Sequence, residues 1–168
     1  MTLTKFVQIN GLKPADAIIL KKKILGMVDH YAIFLGFRNN IPVFVANYRE
    51  GVKEVATSEM SSLLKTFEPN SIIPFPGKEN ERPFAVRRAL SRIGEKAYNY
   101  ISNNCEHFKN WVHYGENYSE QVDTAGNASL GIAAGLGIAA IATKNSKVAG
   151  IAAGLLLLGI ILKVAADD

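Results

Sequence analysis

The sequence predicts an α+β protein, in which an antiparallel sheet and a cysteine-bearing helix are followed by a C-terminal hydrophobic helical hairpin. Three observations carry this expectation. Short β-branched and aromatic runs bounded by turn residues fill the N-terminal part of the chain. From Pro83 onward the apolar spacing becomes helical. Beyond Thr124 the only charged residues are Lys144, Lys147, Lys163, Asp167 and Asp168.

In chain order, residues 5–9 read as a short strand and Asn10-Gly11-Leu12-Lys13-Pro14 as a turn. Residues 16–22, an apolar run ending in lysines, predict the next strand. Gly26 interrupts before residues 28–36, whose β-branched and aromatic content favours a buried strand over a helix. Asn39-Asn40 is a turn signal joining it to residues 43–48 as a hairpin, which Gly51 ends. Residues 58–64 predict a short helix with Ser58 as its cap. Residues 69–83 are proline-rich and loop-like, with Ile72 and Ile73 as a further short strand.

Phe84, Leu90 and Ile93 would then form the apolar face of a helix closed by Gly94, with Arg87 and Arg88 on its basic face. A second helix begins near Asn104, capped by Asn103 or Asn104. It sets Cys105, Phe108, Trp111 and Val112 on one side and ends at Tyr114-Gly115.

The organisation expected is a domain over residues 5–118, a polar linker over 119–127 and a hydrophobic helical hairpin over 128–166. In the hairpin, Gly131-Ile132-Ala133-Ala134-Gly135-Leu136 recurs as Gly150-Ile151-Ala152-Ala153-Gly154-Leu155. Both copies carry the Gly-x-x-x-Gly spacing that lets helices approach closely in lipid. Each uncharged run is shorter than a straight bilayer crossing needs, and Thr143-Lys144-Asn145-Ser146-Lys147 forms the turn between them.

Composition narrows the chemistry. A formal net charge of +4 with one dense cluster, Lys21-Lys22-Lys23, is too little for a nucleic-acid surface and suits anionic headgroups better. One cysteine rules out an internal disulfide and a multi-thiolate zinc site. The first residues lack a basic-then-apolar export signal, so a cytosolic domain on a membrane is expected.

Thiol chemistry can then occur only at Cys105, where a helix N-terminus favours the thiolate. A base is needed, and the histidines are His30, His107 and His113. His107 lies about 200° round the helix from Cys105, and His113 about 12 Å further along the axis. Elimination leaves His30, on a strand far away in sequence.

The blocks His30-Tyr31-Ala32-Ile33-Phe34-Leu35-Gly36 and Asn104-Cys105-Glu106-His107-Phe108 resemble the two signature blocks of the lecithin retinol acyltransferase family. The HRAS-like suppressor phospholipase/acyltransferases are of this type. Pro14-Ala15-Asp16 is similar to the family's Pro-Gly-Asp, residues 88–94 to its pre-cysteine helix, and Tyr114-Gly115 to the end of its Arg-Tyr-Gly block. The likeness covers residues 12–118.

It implies a circularly permuted papain/NlpC-like domain. Cys105 would be the nucleophile that carries an acyl thioester and His30 the general base. The acyl chain would come from a glycerophospholipid and pass to water, an amine or an alcohol, with no metal or cofactor, and backbone amides at the helix start would meet the oxyanion. The family's second histidine has no counterpart here. Asn47 falls in its place as a possible His-orienting residue, and Tyr31 is a candidate for lining the substrate pocket. Residues 128–166 would hold the enzyme at the membrane, with Lys144, Lys147 and Lys163 meeting headgroups. Two alternatives stay open: a cysteine peptidase or amidase of the wider NlpC-like group, and a non-catalytic membrane-remodelling protein that keeps the fold.

Overall fold

A computed structural model describes residues 2–20, 30–66, 71–96 and 104–166 of the chain. The lysines at 21–23, Gly26, Val28 and Asp29, Pro69 and Asn103 lie outside the described residues. The chain divides into two units, Met1–Asn117 and Tyr118–Asp168.

The first unit is mixed α+β, built on a five-stranded antiparallel sheet in the order β4-β3-β2-β1-β5. Its strands are β1 (Ala17–Leu20), β2 (His30–Arg38), β3 (Ile41–Tyr48), β4 (Gly51–Val55) and β5 (Ser71–Ile73). The β2–β3 hairpin turns on Asn39 and Asn40, at φ 52° and 62°. Two consecutive left-handed residues match the twist of a tight hairpin, and asparagine tolerates that region.

Alternation along the strands separates two apolar layers. On one face Ile18, Leu20, Ala32, Phe34, Phe44 and Ala46 meet α1 (Leu3–Ile9) and α2 (Thr57–Thr66) through Leu3, Phe6, Val7 and Met60. On the other, Ala17, Ile33, Val45 and Val52 meet α3 (Arg82–Ser91) and α4 (Cys105–Tyr114) through Ala85, Ala89, Phe108 and Val112.

Four expectations are corrected in this unit. Residues 5–9 belong to helix α1 rather than a strand. Thr2 caps it, accepting a hydrogen bond from the Lys5 amide, and Leu3, Phe6 and Val7 are buried at the three-and-four spacing of a helix. Gly51, expected only to end the hairpin, follows the end of β3 at Tyr48 but also opens a further strand, β4. A side chain there would collide with the Glu95 carbonyl oxygen at 2.1 Å, so only glycine lets the segment after α3 pair with β4. Ser58 sits inside α2 and does not cap it. Finally, α3 buries Ala85 and Ala89, while Phe84 and Leu90 are exposed. Small side chains let α3 lie close against Phe108 and Val112.

The second unit is a pair of helices, α5 (Glu120–Thr143) and α6 (Ser146–Ala166), joined by Lys144 and Asn145. The expected linker over 119–127 is instead helical from Glu120, with Ser119 as cap accepting from the Val122 amide at 3.3 Å. Both helices are long and apolar enough to cross a membrane. At 1.5 Å per residue each reaches about 30 Å or more.

Their contact does not use the repeated glycines. Gly131, Gly135, Gly150 and Gly154 face open space, whereas a side chain on Gly159 would strike Leu130 at 2.6 Å and the Gly126 carbonyl at 3.1 Å. The close approach therefore lies at Gly126 and Gly159. Lys163 bonds Asp123 at 2.6 Å across the pair, rather than standing free for headgroups.

Candidate active site

Cys105 is the first residue of α4 and is buried. The helix start is strongly specified. Asn104 is the N-cap, and its Oδ1 accepts from the amides of Glu106 at 2.8 Å and His107 at 3.1 Å. His107 Nδ1 in turn accepts from the Asn104 amide at 3.4 Å, closing a reciprocal cap. At the other end Gly115 takes the left-handed conformation, φ 77°, and Arg88 of α3 donates to the Val112 and His113 carbonyls.

Two amides at the start of α4, those of Glu106 and His107, thus already donate to the Asn104 side chain.

Asn47 is buried on β3, on the face that α4 covers. Its Nδ2 donates to the Asn104 carbonyl at 3.3 Å, joining the sheet to the residue before the cysteine. His30 opens β2, half-buried, opposite Leu20 of β1. The β2–β3 register, with Ile33 opposite Val45, runs the His30 end of β2 alongside the Asn47 end of β3. By alternation His30, opposite Leu20 and in step with Ala32 and Phe34, starts β2 on the face of α1 and α2, whereas Tyr31 and Asn47 are in step with Ile33 and Val45 on the face of α4. Asn47 and the start of α4 meet at the end of the sheet where β2 begins. Tyr31 is buried beside them, and the Lys109 ammonium of α4 lies 5.4 Å from its ring centroid.

The histidines set aside by helix geometry have structural surroundings. His107 is wholly buried in the cap. His113 is held against the Ala15 carbonyl at 2.8 Å through Nε2; a carbonyl only accepts, and among the described residues Nδ1 has no hydrogen-bond partner, so Nε2 carries the proton of a neutral ring. Burial pushes its pKa down to about 4; the Ala15 bond opposes this and the Lys109 charge adds to it.

Above pH 6.5 both folded and unfolded chains hold this histidine neutral, and its contribution is complete. Between pH 6.5 and about 4 only the unfolded chain takes up the proton. Folding stability should fall over that window by about 1.4 kcal/mol per pH unit, about 3 kcal/mol in all. Urea unfolding of His113→Gln, which keeps a donor for Ala15, should lack that part of the slope.

Two features escaped sequence reasoning. Asp16 forms a buried hub: Oδ1 accepts from Arg82 Nη1 at 2.8 Å and the Phe75 amide at 2.9 Å, and Oδ2 accepts from the Lys13 amide at 2.8 Å. Lys109 is a buried lysine four residues after the cysteine, and that spacing is the signal that could have found it.

The lecithin retinol acyltransferase family model matches residues 10–118. The chain is 31% identical to human (Homo sapiens) phospholipase A and acyltransferase 1 over 117 residues, 66% of this chain and 69% of that protein. It is 45% identical to human phospholipase A and acyltransferase 2 over 52 residues, 30% of this chain and 32% of that protein. The match embraces the sheet, the capped helix and both signature blocks, and the chain belongs to the lecithin retinol acyltransferase family.

Proposed function

We propose that the protein is a membrane-associated thiol acyltransferase and phospholipase A-type enzyme. It takes an acyl chain from a glycerophospholipid onto Cys105 and passes it to water, an amine or an alcohol. The observation that carries the reading is Cys105 at the capped start of α4, tied through Asn104 and Asn47 to the end of the sheet where β2 begins with His30. The relatives' names, phospholipase A and acyltransferase, supply the substrate class.

In the first half-reaction His30 accepts the thiol proton as Sγ attacks the ester carbonyl carbon. The tetrahedral intermediate collapses, the lysophospholipid leaves with the proton from His30, and an acyl thioester remains on Cys105. In the second half-reaction His30 deprotonates the acceptor, and its attack on the thioester restores the thiol. Asn47, whose Nδ2 is engaged, would orient the imidazole through Oδ1. This constellation is that of a permuted papain/NlpC-like thiol enzyme, with Tyr31 lining the acyl site. Residues 128–166 tether it to the cytosolic side of the bilayer that holds its substrate; Lys144 and Lys147 at the hairpin turn meet headgroups.

The test is incubation of the full chain with phosphatidylcholine vesicles, with and without an amine acceptor. Free fatty acid, lysophospholipid and, with the amine, an N-acyl product are expected. No release from phosphatidylcholine alongside cleavage of a peptide amide would replace this reading with the peptidase one.

A further inference from the structure

The geometry points to Lys109 as a positioning residue that holds Cys105 in its thiolate form. The inference rests on the reading of Cys105 as the nucleophile. Lysine is among the residues least often buried, yet Lys109 is 8% exposed and lies on the helix that carries the only cysteine. Residues four apart on a helix are neighbours, with Cβ atoms about 6 Å apart. Side chains on a helix lean toward its N-terminus, so the Lys109 stem runs back over the turn that begins with Cys105.

An independent contact fixes the direction. The Lys109 ammonium lies 5.4 Å from the Tyr31 ring centroid, and Tyr31 adjoins His30 on β2. The aromatic face favours the charged form of a buried ammonium. The charge thus sits at the sheet end where Asn47 meets Asn104. One turn further along the same row, His113 stays neutral, and the Arg88 cation beyond it is engaged by the Val112 and His113 carbonyls.

Among the described residues of α4, β2 and β3, the other ionisable groups toward the helix start are Glu106 and His107 on α4 and His30 and Tyr31 on β2; β3 contributes Asn47, which does not titrate. Arg88 of α3 serves the opposite end of the helix. Glu106, buried beside the cysteine, opposes a thiolate. A cation one helical turn away offsets it, and in a buried setting a unit charge within several ångströms is enough to move a thiol by a pH unit or more.

The experiment titrates the thiolate absorbance at 240 nm in the full chain, taken as the difference from Cys105→Ala, in Lys109→Met, Lys109→Gln and Lys109→Arg backgrounds. No substrate is present, so the result is independent of whether the acyl chemistry is correctly assigned. Fatty-acid release from phosphatidylcholine, measured alongside, reports on that assignment separately. The Met and Gln variants should raise the midpoint by about one pH unit, a tenfold loss in the thiolate-to-thiol ratio, and Arg should restore it to within about 0.3 unit. A midpoint unchanged in the folded neutral variants would overturn the proposal. So would failure of both neutral variants to fold, since that assigns Lys109 to the scaffold.

Discussion

Cys105→Ala should lower acyl release from phosphatidylcholine by about 10⁴-fold or more while leaving the fold intact. Cys105 is buried, and alanine is close to it in size. The cap that starts α4 is built by Asn104 and His107 and does not involve the sulfur. Stability measured by urea unfolding should therefore change by no more than about 1 kcal/mol. His30→Ala should lose activity on a similar scale. The double variant should be no slower than Cys105→Ala alone, because a base without its nucleophile has no proton to take. A double variant markedly slower than either single one would mean that the two residues act in separate steps.

The second large effect is on folding. Asp16→Ala should destabilise the first unit by about 3–5 kcal/mol, the usual result of removing one partner of a buried ion pair. Arg82 would remain buried with its charge, and the Phe75 and Lys13 amides would lose their acceptor. For a unit of this size that is a fall in Tm of about 15 °C or more. Asp16→Asn, which keeps one acceptor oxygen, should fall between the two in thermal unfolding followed by circular dichroism. The hub also positions the site from a distance. Asp16 and Arg82 fix the loop after Pro14, and Ala15 in that loop accepts from His113 near the end of α4. Ala15 holds φ 74° there, a left-handed conformation that the family's glycine adopts without strain.

Much of this was legible in the residues. The β2–β3 hairpin follows from β-branched strands around Asn39-Asn40, and α4 from Asn104 before a helical spacing that ends at Gly115. These are local signals, with capping and turn chemistry within a few residues. Asp16 with Arg82 was not legible, because its partners come together only through the fold, across 66 positions of sequence.

The misreadings share a cause. Residues 5–9 alternate over too short a window to reveal that Leu3, Phe6 and Val7 make a helical stripe. Gly51 punctuates a sequence as a terminator does, yet here it permits a close backbone contact with Glu95. The Gly-x-x-x-Gly pairs stand out by repetition, but packing in the hairpin selects Gly126 and Gly159, which sit opposite each other and are not repeated. Lys109 was missed because a lysine on a helix ordinarily reads as surface, and its spacing from Cys105 gains meaning from its burial against Tyr31.

The central claim is that Cys105 carries an acyl group taken from a phospholipid. Intact-mass measurement after brief exposure to phosphatidylcholine of one defined acyl chain tests it most directly. The parent chain should gain the mass of that single acyl group, hydroxylamine should remove it, and Cys105→Ala should show no gain. A parent chain that gains no mass while fatty acid is released, or an adduct that persists in Cys105→Ala, would contradict the account.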